Sequence, residues 1–229
     1  MNRKISINRN ISINREDKSD RGKPMDLKKG YLLLLIGIFV ASLGVAFAAK
    51  AGLGTSPVSS VPLTRSMLCP FLSFWAWMTA LSLAQILIQK GRSDRGQIAV
   101  QIGIAFVFGY FIDFSGWLIR GLGADRYPVQ FLHMLAGCFL LALGIWIQLK
   151  GGVAMLPGEA MNRAISGVSG IKHGNVKIIT DVLYIAAAAV ISLVFLGGLK
   201  GVREGSIINA VLTGNIIKLY ERIWRRIRA

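Results

Sequence analysis

The chain has 229 residues, of which 53% are hydrophobic and only 17% are charged, and its mean hydropathy is +0.54. A soluble domain of this length carries more charge and fewer long apolar runs, so the composition excludes that class. The net charge of +16 comes from basic tails and loops, as in the cytoplasmic flanks of membrane proteins, and it does not predict nucleic acid as a partner.

The N-terminal segment, residues 1–29, is polar and basic and contains the self-similar stretch ISINRNISINR. Such a composition cannot form a core, so we predict a disordered tail. Translation starting at Met25 is an alternative. The apolar run that follows resembles a signal peptide, but its partner run at 131–149 has no A-x-A cleavage site, and we expect both runs to be retained.

Continuous apolar segments then follow along the chain, and each approaches or reaches the length of about 18 to 20 residues that a membrane-crossing helix needs. They are predicted to be helices, because lipid offers no partner to backbone N–H and C=O groups, and they do not alternate as barrel strands do. The six predicted spans are 31–49, 71–89, 97–119, 129–149, 176–199 and 206–220. The sixth is short and carries Asn209 and Asn215.

The distribution of basic residues predicts the orientation. With the N-terminus inside, the inner segments hold twenty-one of the 27 Lys and Arg residues and the outer segments hold six. This bias follows the positive-inside rule and predicts that both termini are cytoplasmic. The basic C-terminal tail, 221–229, is expected to lie on anionic lipid at the inner surface.

A repeat links the two halves of the chain. When residues 35–66 are compared with residues 135–166, nine of the thirty-two positions are identical, including Gly37, Gly44, Lys50, Gly52 and Pro57. The halves are about 30–120 and 129–220, with three spans each. Because three is odd, the second half must enter the membrane from the opposite side, so we predict an all-α polytopic protein built from two inverted three-span repeats.

Each repeat contains the same interruption, KAGLGTSP at 50–57 and KGGVAMLP at 150–157. Glycine lets the backbone leave helical geometry, and the proline favours the start of a new helix that Thr55 or Ser56 can cap. We expect two Gly/Pro-broken half-helices that converge on a central cavity; two connecting loops followed by interfacial helices remain the alternative. The substrate-binding candidates are Lys50, Gly52, Gly54, Thr55, Ser56, Pro57, Lys150, Gly152, Pro157, Glu159 and Asn162.

Two acidic residues lie within predicted spans and are candidates for an ion or proton site. Intramembrane acids are costly and usually face the bundle interior, which applies to Asp181 and to Asp113 near an interface. The alternative for Asp181 is an ion pair with Lys177, four residues earlier on the same helix face. The alternative for Glu159 is helix capping, because it falls in the first turn of the second half-helix.

Catalytic and metal-binding patterns do not emerge from the sequence. Cys69 and Cys138 have no CxxC or Cys/His neighbours, and the chain has two histidines. No paired carboxylates, catalytic triad or Walker A motif stand out, so we expect no metal, no cofactor and no enzymatic activity.

Four segments carry a resemblance to a known family: LGVAFAAKAGLGTSP, GYFIDF, SGIKHGNVKIITDV and GVREGSIINAVLTGNIIK. In this order they are similar to segments of the YczE/YyaS/YitT family of bacterial integral membrane proteins. The resemblance implies about six spans in the bacterial cytoplasmic membrane and is compatible with transport. The chain departs from the family pattern at GVAMLPGEA and at Ser206, which puts substrate contacts in doubt more than the fold.

These features predict a small secondary transporter of a small organic solute or amphipathic compound. The solute would cross at the interface between the two repeats, and a homodimer is compatible with this arrangement. The expected partners are the lipid bilayer and that unidentified solute. The alternative is a membrane accessory protein that recruits or stabilises a biosynthetic enzyme through the basic tails.

Overall fold

The computed structural model describes residues 26–89, 95–123, 126–171, 173–199 and 201–228. These residues form eight α-helices and no strand. In chain order they are α1 (Leu27–Lys50), α2 (Pro57–Leu68), α3 (Phe74–Ile88), α4 (Arg95–Leu118), α5 (Tyr127–Gly151), α6 (Pro157–Ser169), α7 (His173–Leu196) and α8 (Glu204–Arg228). The disorder predicted for residues 1–29 lies outside the described residues as far as residue 25, whereas residues 27–29 belong to the first turn of α1.

Four helices are long and apolar enough to cross a bilayer, in agreement with a multi-pass membrane protein. They are α1, α5, residues 96–118 of α4 and residues 174–196 of α7. The second predicted span corresponds to α3, which is apolar but has only 15 residues. The sixth lies within α8, whose polar and basic residues make it amphipathic.

The helices occur as two series of four in the same order: a long helix, a short helix that begins at a proline, and two further helices. Leu27 and Tyr127, which begin α1 and α5, are 100 residues apart, and so are Pro57 and Pro157, which begin α2 and α6. The element order therefore follows the repeat that the sequence indicated.

The most extensive helix–helix packing joins α1 to α5. A Cβ atom on Gly37 would lie 2.8 Å from the carbonyl oxygen of Gly144, and one on Gly44 would lie 2.7 Å from that of Gly137. The later glycine of each helix faces the earlier glycine of the other, so α1 and α5 are antiparallel. Gly37 and Gly137 are equivalent positions in the repeat, as are Gly44 and Gly144, so the two contacts are reciprocal.

The remaining helices pack around this pair in matching ways. α4 packs on α1 and α8 packs on α5, while α2 lies against α7 and α6 lies against α3. The hydroxyl oxygens of Ser42 and Ser115 are 3.1 Å apart, and Lys50 contacts Arg120 further along both segments, so α1 and α4 run parallel. The main apolar core lies between these elements and includes Leu34, Ile38, Val45, Ile104 and Phe108.

Candidate functional site

The backbone leaves helical geometry at both predicted breaks. Gly52 has φ +69° and Gly54 has φ +99°, while Gly152 has φ +64° and ends α5 in the left-handed conformation. Residues other than glycine rarely adopt these positive φ values, because their Cβ atom would come too close to the following carbonyl oxygen. The first break therefore uses two such glycines and the second uses one, since position 154 is alanine.

The first break is packed inside the protein. The backbone N–H of Gly205 donates to the carbonyl oxygen of Leu53 at 2.8 Å, and Nη1 of Arg203 donates to the carbonyl oxygen of Gly52 at 3.2 Å. Leu53 is fully buried. These bonds satisfy the backbone carbonyl groups of Gly52 and Leu53, which have no helical partner at the break.

The hydroxyls that follow the break do not cap α2 in the expected way. Ser56 occupies the N-cap position, but its hydroxyl donates to Oγ of Ser59 at 2.8 Å and accepts no backbone N–H. Thr55 is fully buried, and its hydroxyl has no partner among the described residues. Pro57 begins the helix as predicted.

The two repeated lysines make equivalent contacts. Nζ of Lys50 donates to the carbonyl oxygen of Arg120 at 2.9 Å, 70 residues further on, just past the end of α4. Nζ of Lys150 lies 2.8 Å from a carboxylate oxygen of Glu221 in α8, 71 residues further on. Each lysine thus ties its break to the last helix of its own half.

Around Lys150 the contact is reinforced by aromatic side chains. Its ammonium lies 5.7 Å from the ring centre of Trp146 and 6.0 Å from that of Trp224, within cation–π range. The hydrogen bond from Lys150 lowers the pKa of Glu221, which lies beyond the sixth predicted span, and a bond from Trp146 acts in the same direction.

At the second break, charged groups of two helices meet. Glu159 lies in the first turn of α6, as predicted, and its Oε1 accepts from Nζ of Lys177 at 2.7 Å. The same Nζ lies 3.7 Å from Oδ2 of Asp181, so the ion pair considered from the sequence is present as well. Lys177 is therefore placed between two carboxylates, one on α6 and one on its own helix.

Uncharged polar side chains extend this group towards α3. The Thr180 hydroxyl donates to Oδ1 of Asn162 at 3.0 Å, and Nε2 of Gln85 donates to the Tyr184 hydroxyl at 2.8 Å. Nε2 of Gln89 donates to the carbonyl oxygen of Pro157, the residue that begins α6. We call this set the second-break cluster: Gln85, Gln89, Glu159, Asn162, Lys177, Thr180, Asp181 and Tyr184.

The cluster is largely withdrawn from the surface of the protein. Gln85 is 1% exposed, Gln89 is fully buried, and Asn162 is 2% exposed. Asp181 is 9% exposed, and its Oδ1 atom has no hydrogen-bond partner among the described residues. A buried carboxylate oxygen without a partner is costly, so Asp181 stays a candidate for the ion or proton site that the sequence predicted.

Sequence reasoning found part of this cluster. It selected Glu159, Asn162 and Asp181, and it recognised Lys177 only as a structural partner. It missed Gln85 and Gln89, although two amides four residues apart in SLAQILIQ already indicate a polar stripe on an apolar helix. Thr180 and Tyr184 carried no signal that set them apart from ordinary residues of a span.

Asp113 has a local role in α4. Its Oδ1 accepts the backbone N–H of Trp75 at 3.3 Å, in the first turn of α3, where negative charge suits the helix dipole. Within the described residues, no hydrogen bond or ion pair joins Asp113 to the second-break cluster, and no group of three or more His, Cys, Asp or Glu side chains could hold a metal ion.

The breaks follow opposite ends of the antiparallel α1–α5 pair, and each has its own polar surroundings. The convergence of both on one cavity stays a prediction.

The chain was compared with known protein families, and residues 28–222, which are most of the chain, match the sequence model of DUF6198, a family of unknown function. Comparison with curated proteins and with solved structures finds no significant match.

Proposed function

The chain belongs to the DUF6198 family, whose function is unknown, and from its own geometry we propose that it is a small secondary transporter. It would carry a small organic solute or amphipathic compound across the bacterial cytoplasmic membrane, with both termini in the cytoplasm. The resemblance to the YczE/YyaS/YitT family is compatible with this role and stays a prediction.

The observation that carries the proposal is the second-break cluster, which gathers two carboxylates and an ammonium between apolar helices, with Asp181 buried and Glu159 and Lys177 partly exposed. Charged groups within membrane-spanning helices are expensive and usually mark substrate or ion pathways. Here they surround the start of a broken helix, the position at which transporters place their binding sites.

The α1–α5 packing supports an inverted relation between the two halves. Equivalent residues of the repeat exchange contacts reciprocally, Gly37 with Gly144 and Gly44 with Gly137, across two antiparallel helices. A pseudo-two-fold axis perpendicular to the helices produces this pattern, and in a bilayer such an axis lies in the membrane plane. We therefore keep six crossings in two inverted repeats as the proposed topology.

Lys177 supplies a mechanism for coupling. In the observed state its ammonium is shared unequally, 2.7 Å from Glu159 and 3.7 Å from Asp181. A proton or cationic group on Asp181 would remove the attraction of that carboxylate, so the ammonium would move fully to Glu159. Because Glu159 belongs to α6 and Asp181 to α7, this exchange changes how strongly the two helices are held together.

Transport is tested by reconstituting the purified protein in liposomes and incubating them with a small-molecule extract of bacterial cells under an imposed pH gradient. Mass spectrometry of the lumen should show at least one solute enriched over protein-free liposomes. The Asp181→Asn variant should lose this enrichment, while Lys218→Met, on an exposed position of α8, should retain it. Equal lumen contents for wild-type and protein-free liposomes would reject transport.

The accessory role keeps one specific observation in its favour: the exposed basic residues Arg222, Arg225 and Arg226 near the end of α8. Deleting residues 222–229 separates the two functions. A transporter should retain solute enrichment in liposomes, whereas an accessory protein should show no enrichment and should lose its partner enzyme from purified membranes.

A further inference from the structure

A cleft lined by different side chains lies at the other end of the α1–α5 pair. A cleft of about 340 Å³ opens between the C-terminal parts of α1 and α4 and the start of α3. Its walls are mostly apolar and include Phe74, Ile112 and Ile119, and two charged residues, Lys50 and Asp113, line the same space.

Neither charge in this cleft is neutralised by a described residue. Lys50 donates to a backbone carbonyl oxygen, and Asp113 accepts a backbone N–H at 3.3 Å; no ion pair joins them to each other or to another described side chain. Because each makes only this neutral bond, both charges remain available to a molecule in the cleft. A charge facing an apolar cavity is stabilised by a ligand of opposite charge.

The second half of the protein provides an internal comparison. Lys150, the repeat equivalent of Lys50, forms an ion pair with Glu221 and lies against two tryptophan rings. The positive charge of Lys150 is therefore neutralised by the carboxylate of Glu221 within the protein. Among the described residues, the hydrogen bond that Lys50 makes goes to the carbonyl oxygen of Arg120 and not to a carboxylate, so the two equivalent lysines differ in whether their charge is matched.

We propose that this cleft binds a small zwitterion with a short apolar group. The anionic group of the ligand would lie at Lys50, its ammonium at Asp113, and its apolar part against Phe74 and Ile112. The volume is near the lower end of the range of about 300–1,000 Å³ for small-molecule pockets, which suits a compact ligand. The inference does not depend on transport, because it concerns binding at a site separate from the second-break cluster.

Two sources provide this chemistry: a free amino-acid-like solute and the headgroup of an ethanolamine phospholipid. Both carry one ammonium and one anionic group. Leucine and dihexanoyl phosphatidylethanolamine therefore serve as the two probes, and leucinamide and N-acetyl-leucine serve as controls that keep the apolar group but carry a single charge.

The experiment is calorimetric titration of the full-length protein in detergent with each probe. We expect leucine, the phospholipid or both to bind at least tenfold more tightly than either singly charged control. Lys50→Met and Asp113→Asn should each weaken the zwitterion by about tenfold or more, because each removes one charge-assisted bond. Lys218→Met should bind as the wild type does.

Binding of leucine alone would identify a free solute, and binding of the phospholipid alone would identify a lipid headgroup; both support a zwitterion site. Binding of neither probe, or equal binding of zwitterions and singly charged controls, overturns the proposal. Asparagine at position 113 keeps an oxygen that can accept the Trp75 N–H. Should this variant still fail to fold, the ligand series on the wild-type protein decides the question.

Discussion

Nζ of Lys177 lies 2.7 Å from Oε1 of Glu159, and this contact joins α7 to the first turn of α6. Replacing Lys177 with Met removes the cation between Glu159 and Asp181 and should destabilise the fold. Breaking a buried pair costs about 3–5 kcal/mol, and because the Lys177 side chain is 35% exposed we expect about 1–3 kcal/mol. Thermal unfolding in detergent measures the loss.

The double variant Lys177→Met, Glu159→Gln is the control for that prediction. The single change leaves the carboxylates of Glu159 and Asp181 to repel each other. The second change removes the charge of Glu159, so the double variant should recover part of the lost stability. A single Lys177→Met variant as stable as the wild type would show that the pair does not hold α6 and α7 together.

The glycine contacts between α1 and α5 predict a large difference between two identical substitutions. A Cβ atom on Gly44 would lie 2.7 Å from the Gly137 carbonyl oxygen, so Gly44→Ala should destabilise by about 1–3 kcal/mol. Gly103 lies exposed within α4, with nothing within 4 Å of the position of a Cβ atom. Gly103→Ala should be neutral or stabilising by up to about 1 kcal/mol, because alanine favours the helix. Equal unfolding temperatures for the two variants would contradict the close packing.

Alanine substitutions at the two glycines of the first break should lower the stability of the protein to different extents. Gly52→Ala meets only backbone strain at φ +69°, about 1–2 kcal/mol, because no atom lies within 4 Å of its Cβ position. Gly54→Ala adds a clash, since Cβ would lie 2.9 Å from the backbone nitrogen of Arg203. Unfolding temperatures should therefore fall in the order wild type, Gly52→Ala, Gly54→Ala, and the reverse order of the two variants would disprove the packing of the first break against α8.

Glu221 predicts a pH dependence of stability. Its pKa is held below the ordinary value of 4.5, chiefly by the hydrogen bond from Lys150. A carboxyl group with a lowered folded-state pKa stabilises the protein above its unfolded-state pKa, and this contribution disappears as pH falls through the folded value. The unfolding temperature of the wild type should exceed that of Glu221→Gln at neutral pH. The difference should begin to shrink near pH 4.5 and should disappear once the pH is below the lowered folded-state pKa. In a Lys150→Met background the pH-dependent difference should largely vanish.

The six-span topology predicts that two loops are labelled from opposite sides of the membrane, because the fourth span separates them. In a variant without Cys69 and Cys138, single cysteines replace Leu122, between α4 and α5, and Val168, near the end of α6; both positions are exposed. A membrane-impermeant maleimide should label position 122 in intact cells and position 168 only after permeabilisation. Labelling of both from the same side would eliminate the proposed six-span topology.

The apolar segments and the repeat could be recognised from the sequence, because both depend only on which residues occur and at what spacing. Apolar runs of membrane length predicted α1, α4, α5 and α7, and the spacing between Pro57 and Pro157 predicted the starts of α2 and α6. The breaks followed from glycine and proline, whose backbone preferences do not depend on neighbours. The spans predicted at 71–89 and 206–220 correspond to helices, but α3 has only 15 residues and α8 is amphipathic, so neither is among the four helices that are long and apolar enough to cross a bilayer.

The sequence by itself determined that this chain is helical, hydrophobic, internally repeated and interrupted twice. Only the tertiary structure decided that Lys150 is matched by Glu221 while Lys50 faces a cleft with Asp113, and that Gln85 reaches Tyr184 at the second break. The physical reason is that helix formation depends on neighbouring residues, whereas pairing of charges and amides depends on atoms about 70 to 100 residues apart that meet only when the helices pack.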